Sequence, residues 1–403
     1  MTDIRRKTDE RTAAWQVFSA FLKLGLTSFG GPIAHLGYFN EEFVRRRRWL
    51  DDATFGQIVA LCQFLPGPAS SQVGIIIGLT RAGPLGALLA WAGFTLPSAA
   101  LLAAFGLGVK RLPGLAGSPW VHGLLIAAVA VVALAVANMY RSLCPDLPRK
   151  GVAFLAAAAI LFFPVNGLLQ LGVIVAGAVL GALFGRPSEQ PIRALPIAGN
   201  RLAAVVSGAV FGVLLIGFPL AHAMIRGGVL DVFGSFYESG ALVFGGGHVV
   251  LPLLGARVIP PGWIGPDAFL AGYGAAQAVP GPLFTFAAYL GEVMHGPVSG
   301  LPGAALALFA IYLPSFLLIA AVLPFWNDLI RNRTVVTALQ GVNAAVVGLL
   351  MAALYQPIWV SAVRAPRDAA LALLAFFLLG VCKLPPWSIV VMCAAAAQLK
   401  ALT

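Results

Sequence analysis

The stretch FLKLGLTSFGGPIAHL, Phe21 to Leu36, decides how this chain is read. It is apolar on both flanks, yet Phe29-Gly30-Gly31-Pro32 sits in its middle. Glycine and proline both oppose a continuous helix interior. The same break returns far downstream in FYESGALVFGGGHVVL, Phe236 to Leu251. Two breaks of one kind, each inside an apolar segment, ask what surrounds the chain.

The surroundings are lipid. Of 403 residues, 60% are hydrophobic and only 10% charged, against about 25% charged in soluble proteins. No water-soluble fold hides that much apolar surface. The fold class expected is an all-α polytopic membrane protein, because the apolar runs lack the alternation of barrel strands. The net charge of +11 does not point to nucleic acid. The Lys and Arg residues fall between apolar runs, where the positive-inside rule places them, and the surplus draws anions. The lipid bilayer is the partner implied. Four cysteines, Cys62, Cys144, Cys382 and Cys393, form no CxxC pair and have no zinc-ligand spacing to histidine. Residues 1–13 read as a basic cytoplasmic tail without an A-x-A cleavage site.

Thirteen apolar elements follow, and they repeat. At an offset of 215, Phe18, Phe21, Gly25, Phe29, Gly30, Gly31 and Leu36 match Phe233, Phe236, Gly240, Phe244, Gly245, Gly246 and Leu251. At 214, Trp49, Phe55, Gln63, Pro66, Gly67 and Pro68 match Trp263, Phe269, Gln277, Pro280, Gly281 and Pro282. At 217 and 218, Leu96-Pro97-Ser98 matches Leu313-Pro314-Ser315, and Gly123 matches Gly341. The order is kept while the offset drifts, as small loop insertions would make it. The boundaries expected are a first repeat of six elements over 14–185, a linker with a connecting transmembrane helix over 186–228, and a second repeat over 229–403. One odd connecting helix turns the second repeat upside down, which is the inverted-topology plan of secondary transporters.

Arg45 to Arg48 form a basic cluster that would lie outside if all thirteen elements crossed with the N-terminus inside. If the first two elements of each repeat instead dip in and return, more of the Lys and Arg lie inside. The breakers then become the tips of re-entrant hairpins with arms of about 12 residues, or ~18 Å.

A helix restarting after Gly-Gly-Pro or Pro-Gly-Pro points free N–H groups and a positive dipole end into the protein. Irregular backbone at that depth survives only where it is buried or lines a cavity. One such tip alone reads as a packing glycine or a proline kink; duplication in both halves favours a substrate site for an anion. The candidate binding residues are Thr27, Ser28, Gly30, Gly31, Gln63, Gly67, Ser70 and Ser71 in the first half. In the second they are Gly245, Gly246, His248, Gln277, Gly281 and Thr285. Hydroxyls and amides can donate to oxyanion oxygens, although membrane Ser and Thr also bond back to their own helix. Lys23 and Glu238 hold matched positions with opposite charge. They suit a pair across the two halves or a role in coupling, the alternative being snorkelling to an interface. Glu292 and His295 read as a solvated loop. Enzyme chemistry finds no nucleophile elbow, P-loop or HExxH. The histidines His35, His122, His222, His248 and His295 are scattered, and no metal or cofactor is implied.

The duplicated tips, with Gln63 to Pro68, Gln277 to Pro282 and the two Leu-Pro-Ser copies, resemble the long, two-domain chromate ion transporter family. The resemblance runs from about residue 14 to 400. It departs from symmetry where Gly247-His248 replaces the proline of the first tip. It implies efflux of chromate, a tetrahedral oxyanion with sulfate as its analogue, from the bacterial cytoplasm. It also implies chromate resistance and an inner-membrane location with a cytoplasmic N-terminus. The energy would come from an ion or proton gradient or from anion exchange. A carrier or channel for another small anion is the alternative, and a non-transporting scaffold a third reading. A homodimer is compatible with the sequence.

Overall fold

A computed structural model of the chain describes residues 2–29, 31–111, 118–163, 167–185, 200–224, 228–244, 249–329 and 331–402. All regular elements among them are helices. The first repeat holds α1 (Thr2–Thr27), α2 (Gly31–Phe39, continued by a π turn, Asn40–Arg46), α3 (Asp52–Phe64), α4 (Ala69–Arg111), α5 (Pro119–Leu143), α6 (Leu147–Phe162) and α7 (Gly167–Phe184). Helix α8 (Arg201–Met224) connects to the second repeat: α9 (Val229–Ala241), α10 (Val250–Val258), α11 (Pro266–Ala278), α12 (Phe286–Val293), α13 (Gly300–Val322), the short α14 (Trp326–Leu329), α15 (Arg333–Ala353), α16 (Val360–Ala362), α17 (Pro366–Gly380) and α18 (Pro386–Leu402). Helix α1 already starts at Thr2, so the segment expected as a tail is helical. Helix α4 bends sharply at Ala82 and Gly83 (φ +63°), which divides it into arms 69–81 and 84–111.

The first two apolar elements of each repeat are hairpins. Phe21 on α1 touches Phe39 and Phe43, with ring centroids 5.5 and 4.8 Å apart. A straight helix would separate residues 21 and 39 by about 27 Å, so the chain doubles back between Thr27 and Gly31. Beyond the Pro-Gly-Pro tip it doubles back again, and the Arg81 guanidinium lies 5.2 Å from the centre of the Trp49 ring. In the second repeat Glu238 of α9 meets Arg257 of α10. The Tyr289 hydroxyl of α12 donates to the Ala268 carbonyl of α11 at 2.8 Å. The His295 N–H donates to the Trp263 carbonyl at 2.7 Å, at the positions matching Arg81 and Trp49. The breaks follow from local chemistry: a residue before proline is pushed out of the α region, and Leu65 and Val279 both end their helices in extended conformation (ψ 144° and 148°).

Among the described residues, α4, α5 and α8 are long and apolar enough to cross a membrane, as are α13 and α15 with their short continuations. Their packing exchanges partners between repeats. Helix α5 packs on α17 and α18, while α15 packs on α6 and α7. Glycines make both approaches close. Gly123 lies against the backbone of Cys393 and Ala394, and its counterpart Gly341 lies against that of Gly177 and Gly181. Small residues let membrane helices approach backbone to backbone. Helix α1 likewise meets α4 where Gly25 faces the carbonyls of Gly93 and Phe94, and α9 meets α13 where Gly240 faces that of Ile311.

One expectation is corrected here. Glu292 does not lie in a solvated loop. The helix that restarts at Phe286 continues to Val293, and Glu292 is buried in its last turn against Gly106 of α4. His295, just beyond, is exposed.

Candidate functional site

The hairpin tips of the two repeats cross, and backbone bonds fix the crossing. The Gly67 N–H donates to the Val243 carbonyl at 2.6 Å, and the Gly281 N–H donates to the Ser28 carbonyl at 2.9 Å. Gly67 matches Gly281, and Ser28 matches Val243, so each Pro-Gly-Pro tip holds the Phe-Gly-Gly tip of the other repeat. Both glycines have positive φ, +125° and +100°. A Cβ on Gly67 would come within 2.8 Å of the Ser315 hydroxyl, and one on Gly281 within 2.7 Å of the Ser98 hydroxyl. Three duplicated motifs, Phe-Gly-Gly, Pro-Gly-Pro and Leu-Pro-Ser, therefore meet at one place.

The reciprocal bonds change one expectation. The glycine N–H groups of the Pro-Gly-Pro tips are not free to hold an anion, because the opposite tips' carbonyls take them. The first turn of α4 remains available: its ladder starts with the Gln72 N–H donating to the Pro68 carbonyl at 2.9 Å. Helix α2 packs beside it. His35 of α2 is buried, its Nδ1 3.3 Å from the Ser70 hydroxyl oxygen, its ring against the Ser28 backbone and edge-on to Phe94. Helix α2 thus brings a polar side chain to the N-terminus of α4, whose positive dipole end favours an anion.

Neutral polar side chains surround this place. Ser28, Ser71, Thr95, Ser315 and Tyr312 are all buried, and none of their hydroxyls has a hydrogen-bond partner among the described residues. Neither does Gln72 Oε1 or His35 Nε2. The Tyr312 hydroxyl faces Ser71 and Thr95 without a bond of ordinary geometry. A buried hydroxyl left unpaired costs about 1–3 kcal/mol, and several in one cluster mark a place where a polar ligand would repay that cost.

Of the residues expected at the site, Ser28, Gly67, Ser70, Ser71 and Gly281 gather at the crossing. Gly31 opens α2 with φ +79°. Thr285 is buried nearby, but its hydroxyl bonds back to the Pro282 carbonyl at 2.7 Å. Thr27 faces outward and bonds back to the Lys23 carbonyl at 2.8 Å. Gln63 is exposed on the last turn of α3. Gln277 lies beside the Tyr273 hydroxyl. Gly30, Gly245, Gly246 and His248 lie outside the described residues. Lys23 and Glu238 do not pair with each other. Lys23 Nζ sits 3.3 Å from Glu42, and Glu238 meets Arg257, because each hairpin folds its own arms together.

Sequence reasoning passed over His35, Thr95, Ser98, Tyr312 and Ser315 as site residues. For the two serines a signal existed, since the Leu-Pro-Ser duplication marks the same place as the tips. Thr95 and Tyr312 immediately precede the two Leu-Pro-Ser copies, so the same signal reached them, whereas His35 is unduplicated and only its folded hairpin brings it in.

Comparison with known proteins agrees with this architecture. The Chromate transporter family profile matches residues 15–182 and 230–398, one match on each repeat. A chromate transport protein of Pseudomonas aeruginosa is 30% identical over 362 residues, covering 87% of this chain and 82% of its own. A probable chromate transport protein of Synechococcus elongatus is 29% identical, covering 84% and 83%. An uncharacterized transporter of Methanocaldococcus jannaschii is 27% identical, covering 87% and 86%. No solved structure matches. The chain belongs to the chromate transporter family, and it is a multi-pass membrane transporter rather than an enzyme.

Proposed function

We propose that this protein exports chromate, or a closely related tetrahedral oxyanion such as sulfate, from the cytoplasm by alternating access, and so confers chromate resistance. The observation that carries this reading is the tip crossing, where buried hydroxyls without partners among the described residues stand beside the N-terminus of α4. A tetrahedral dianion has acceptors on every side and suits neutral donors converging from several elements. The site residues proposed are Ser28, Gly31, His35, Ser70, Ser71, Thr95, Tyr312 and Ser315, with Gly67 and Gly281 as the hinges that hold the tips together. Gly30, Gly245, Gly246 and His248 complete the proposal from sequence.

The reciprocal bonds also suit alternating access. One bond joins the first Pro-Gly-Pro tip to the second repeat, and the other joins the second Pro-Gly-Pro tip to the first. Rocking one repeat against the other can loosen one bond while the other holds, with α8 inverting the second repeat. The cytoplasmic side is assigned to the end that carries Arg45 to Arg48 and Arg81, with the N-terminus on that same face of the bacterial inner membrane.

The test is chromate uptake into inside-out vesicles holding this protein, with excess sulfate as competitor and the proton gradient collapsed in parallel. Saturable accumulation is expected. No uptake by inserted protein under an imposed gradient would overturn the substrate assignment, and unchanged uptake in sulfate would exclude a shared oxyanion site.

A further inference from the structure

Away from the crossing, each Phe-Gly-Gly hairpin is closed at its neck by an ion pair. In the first repeat Lys23 of α1 meets Glu42 of the π turn at 3.3 Å. In the second, Glu238 of α9 meets Arg257 of α10. Lys23 matches Glu238 and Glu42 matches Arg257, both at the offset of 215. The two pairs therefore stand at equivalent positions with their signs exchanged. In both, the carboxylate is buried, with side chains 6% and 5% exposed, while the cation reaches outward at 52% and 30%. The acid is on the returning arm in one repeat and on the leading arm in the other. The first acid also takes Arg46 at 3.0 Å and Arg47 at 2.7 Å.

A residue that carried a proton or touched the transported ion would need one sign at one place. The molecule instead keeps the pair and exchanges the signs. We propose that the two neck pairs are equivalent clamps that hold each Phe-Gly-Gly tip at the crossing, and that either charge order serves. Lys23, Glu42, Glu238 and Arg257 are then positioning residues. Breaking a buried pair by removing one partner strands the other charge, whereas exchanging the partners keeps the compensation. This inference rests on the crossing being the transport site, so its experiment has one arm without substrate.

That arm places a cysteine at the second tip, V243C, in a C382S background, since Cys382 is the exposed cysteine and Cys62, Cys144 and Cys393 are buried. Val243 is itself buried. Labelling by a small permeant maleimide is expected to quicken by about tenfold in E238R and in R257E, and in the milder E238Q, as the neck opens. It should return to near the parent rate in E238R/R257E. In the second arm, without the V243C change, chromate transport into vesicles should fall by about tenfold in each single variant and recover to within about threefold in the double. If the double variant labels and transports like the singles, charge order matters and the proposal falls. If the singles label like the parent, the pair clamps nothing and the proposal falls. Restored protection without restored transport would also overturn it, since one of these groups would then act in transport itself. A parent that carries no chromate would sink the substrate reading alone, because the labelling arm still decides the clamp.

Discussion

The two repeats agree at their tips and differ at their necks. At the tips the match is close: Gly67 bonds to Val243 as Gly281 bonds to Ser28, and Ser315 stands over one glycine as Ser98 stands over the other. Towards the ends the matched positions diverge. Lys23–Glu42 answers to Glu238–Arg257 with reversed sign, Arg81 answers to His295, and the capping Asp51 answers to Gly265. The difference teaches where geometry constrains the chain. Backbone groups of one repeat must meet backbone groups of the other at the crossing, and only glycine tolerates φ of +125° and +100° where a Cβ would come within 2.8 Å of a serine hydroxyl. At the necks a pair need only be complementary, and at the ends each repeat meets its own membrane face.

The largest effects are therefore expected at Gly67 and Gly281. Either one changed to valine brings a Cβ into a serine hydroxyl at an already unfavourable φ, so the tip must withdraw and its cross-repeat bond is lost. Vesicle transport should fall by about a hundredfold or more in both G67V and G281V, with membrane insertion retained. Equal losses would uphold the symmetry of the crossing; a tolerant partner would break it.

Next come the packing glycines of the exchanged helices. Gly123→Leu presses α5 into the α18 backbone and Gly341→Leu presses α15 into the α7 backbone. Each overpacking should cost about 1–3 kcal/mol, read as a lower melting temperature of the purified protein. A loss confined to one variant would show that only one of the two exchanged contacts holds the repeats together.

His35 tests a place where the repeats differ at the tips themselves. Its match in the second repeat is Val250, so the imidazole serves only one side of the crossing. His35→Asn keeps a donor near Ser70 and should lower transport by less than His35→Leu, which should lose about tenfold through a missing polar contact. Equal behaviour of the two variants would remove His35 from the ligand's surroundings.

These contrasts also explain what was legible in the sequence. The hairpins were legible because glycine and proline inside apolar runs have few other uses, and the repeats because three separate motifs recur in order. The exchange of α5 and α15 between repeats was not, since Gly123 and Gly341 look the same whichever helix they face. The partner of Lys23 was not legible for a related reason. Matched positions of opposite charge suggest a bond across the halves, yet equivalent residues on inverted hairpins are carried to opposite necks, and each finds the partner its own arm supplies. Thr27 shows the same limit on a smaller scale, because its hydroxyl returns to the Lys23 carbonyl as helical Ser and Thr commonly do.

The smallest effect is expected at the N-caps of the inward arms. Asp51 caps α3 by accepting the Thr54 N–H at 2.6 Å, while Gly265 caps α11 without a side chain and relies on Pro266 at the first helical position. The Thr54 backbone N–H, then its side chain, hold the Asp51 carboxyl below the usual aspartate range. A depressed carboxyl stabilises the fold above its unfolded pKa, and that contribution is lost as the pH falls through its folded value. Asp51→Ala should therefore lower the melting temperature slightly at neutral pH, and its difference from the parent should vanish at the acid end. Gly265→Asp should raise the neutral-pH melting temperature by a similarly small amount, since it supplies the second repeat with the cap the first already has. A difference between Asp51→Ala and the parent that is independent of pH would mean that the carboxylate is not what the cap uses, and the contrast between the two arms would then rest on proline alone.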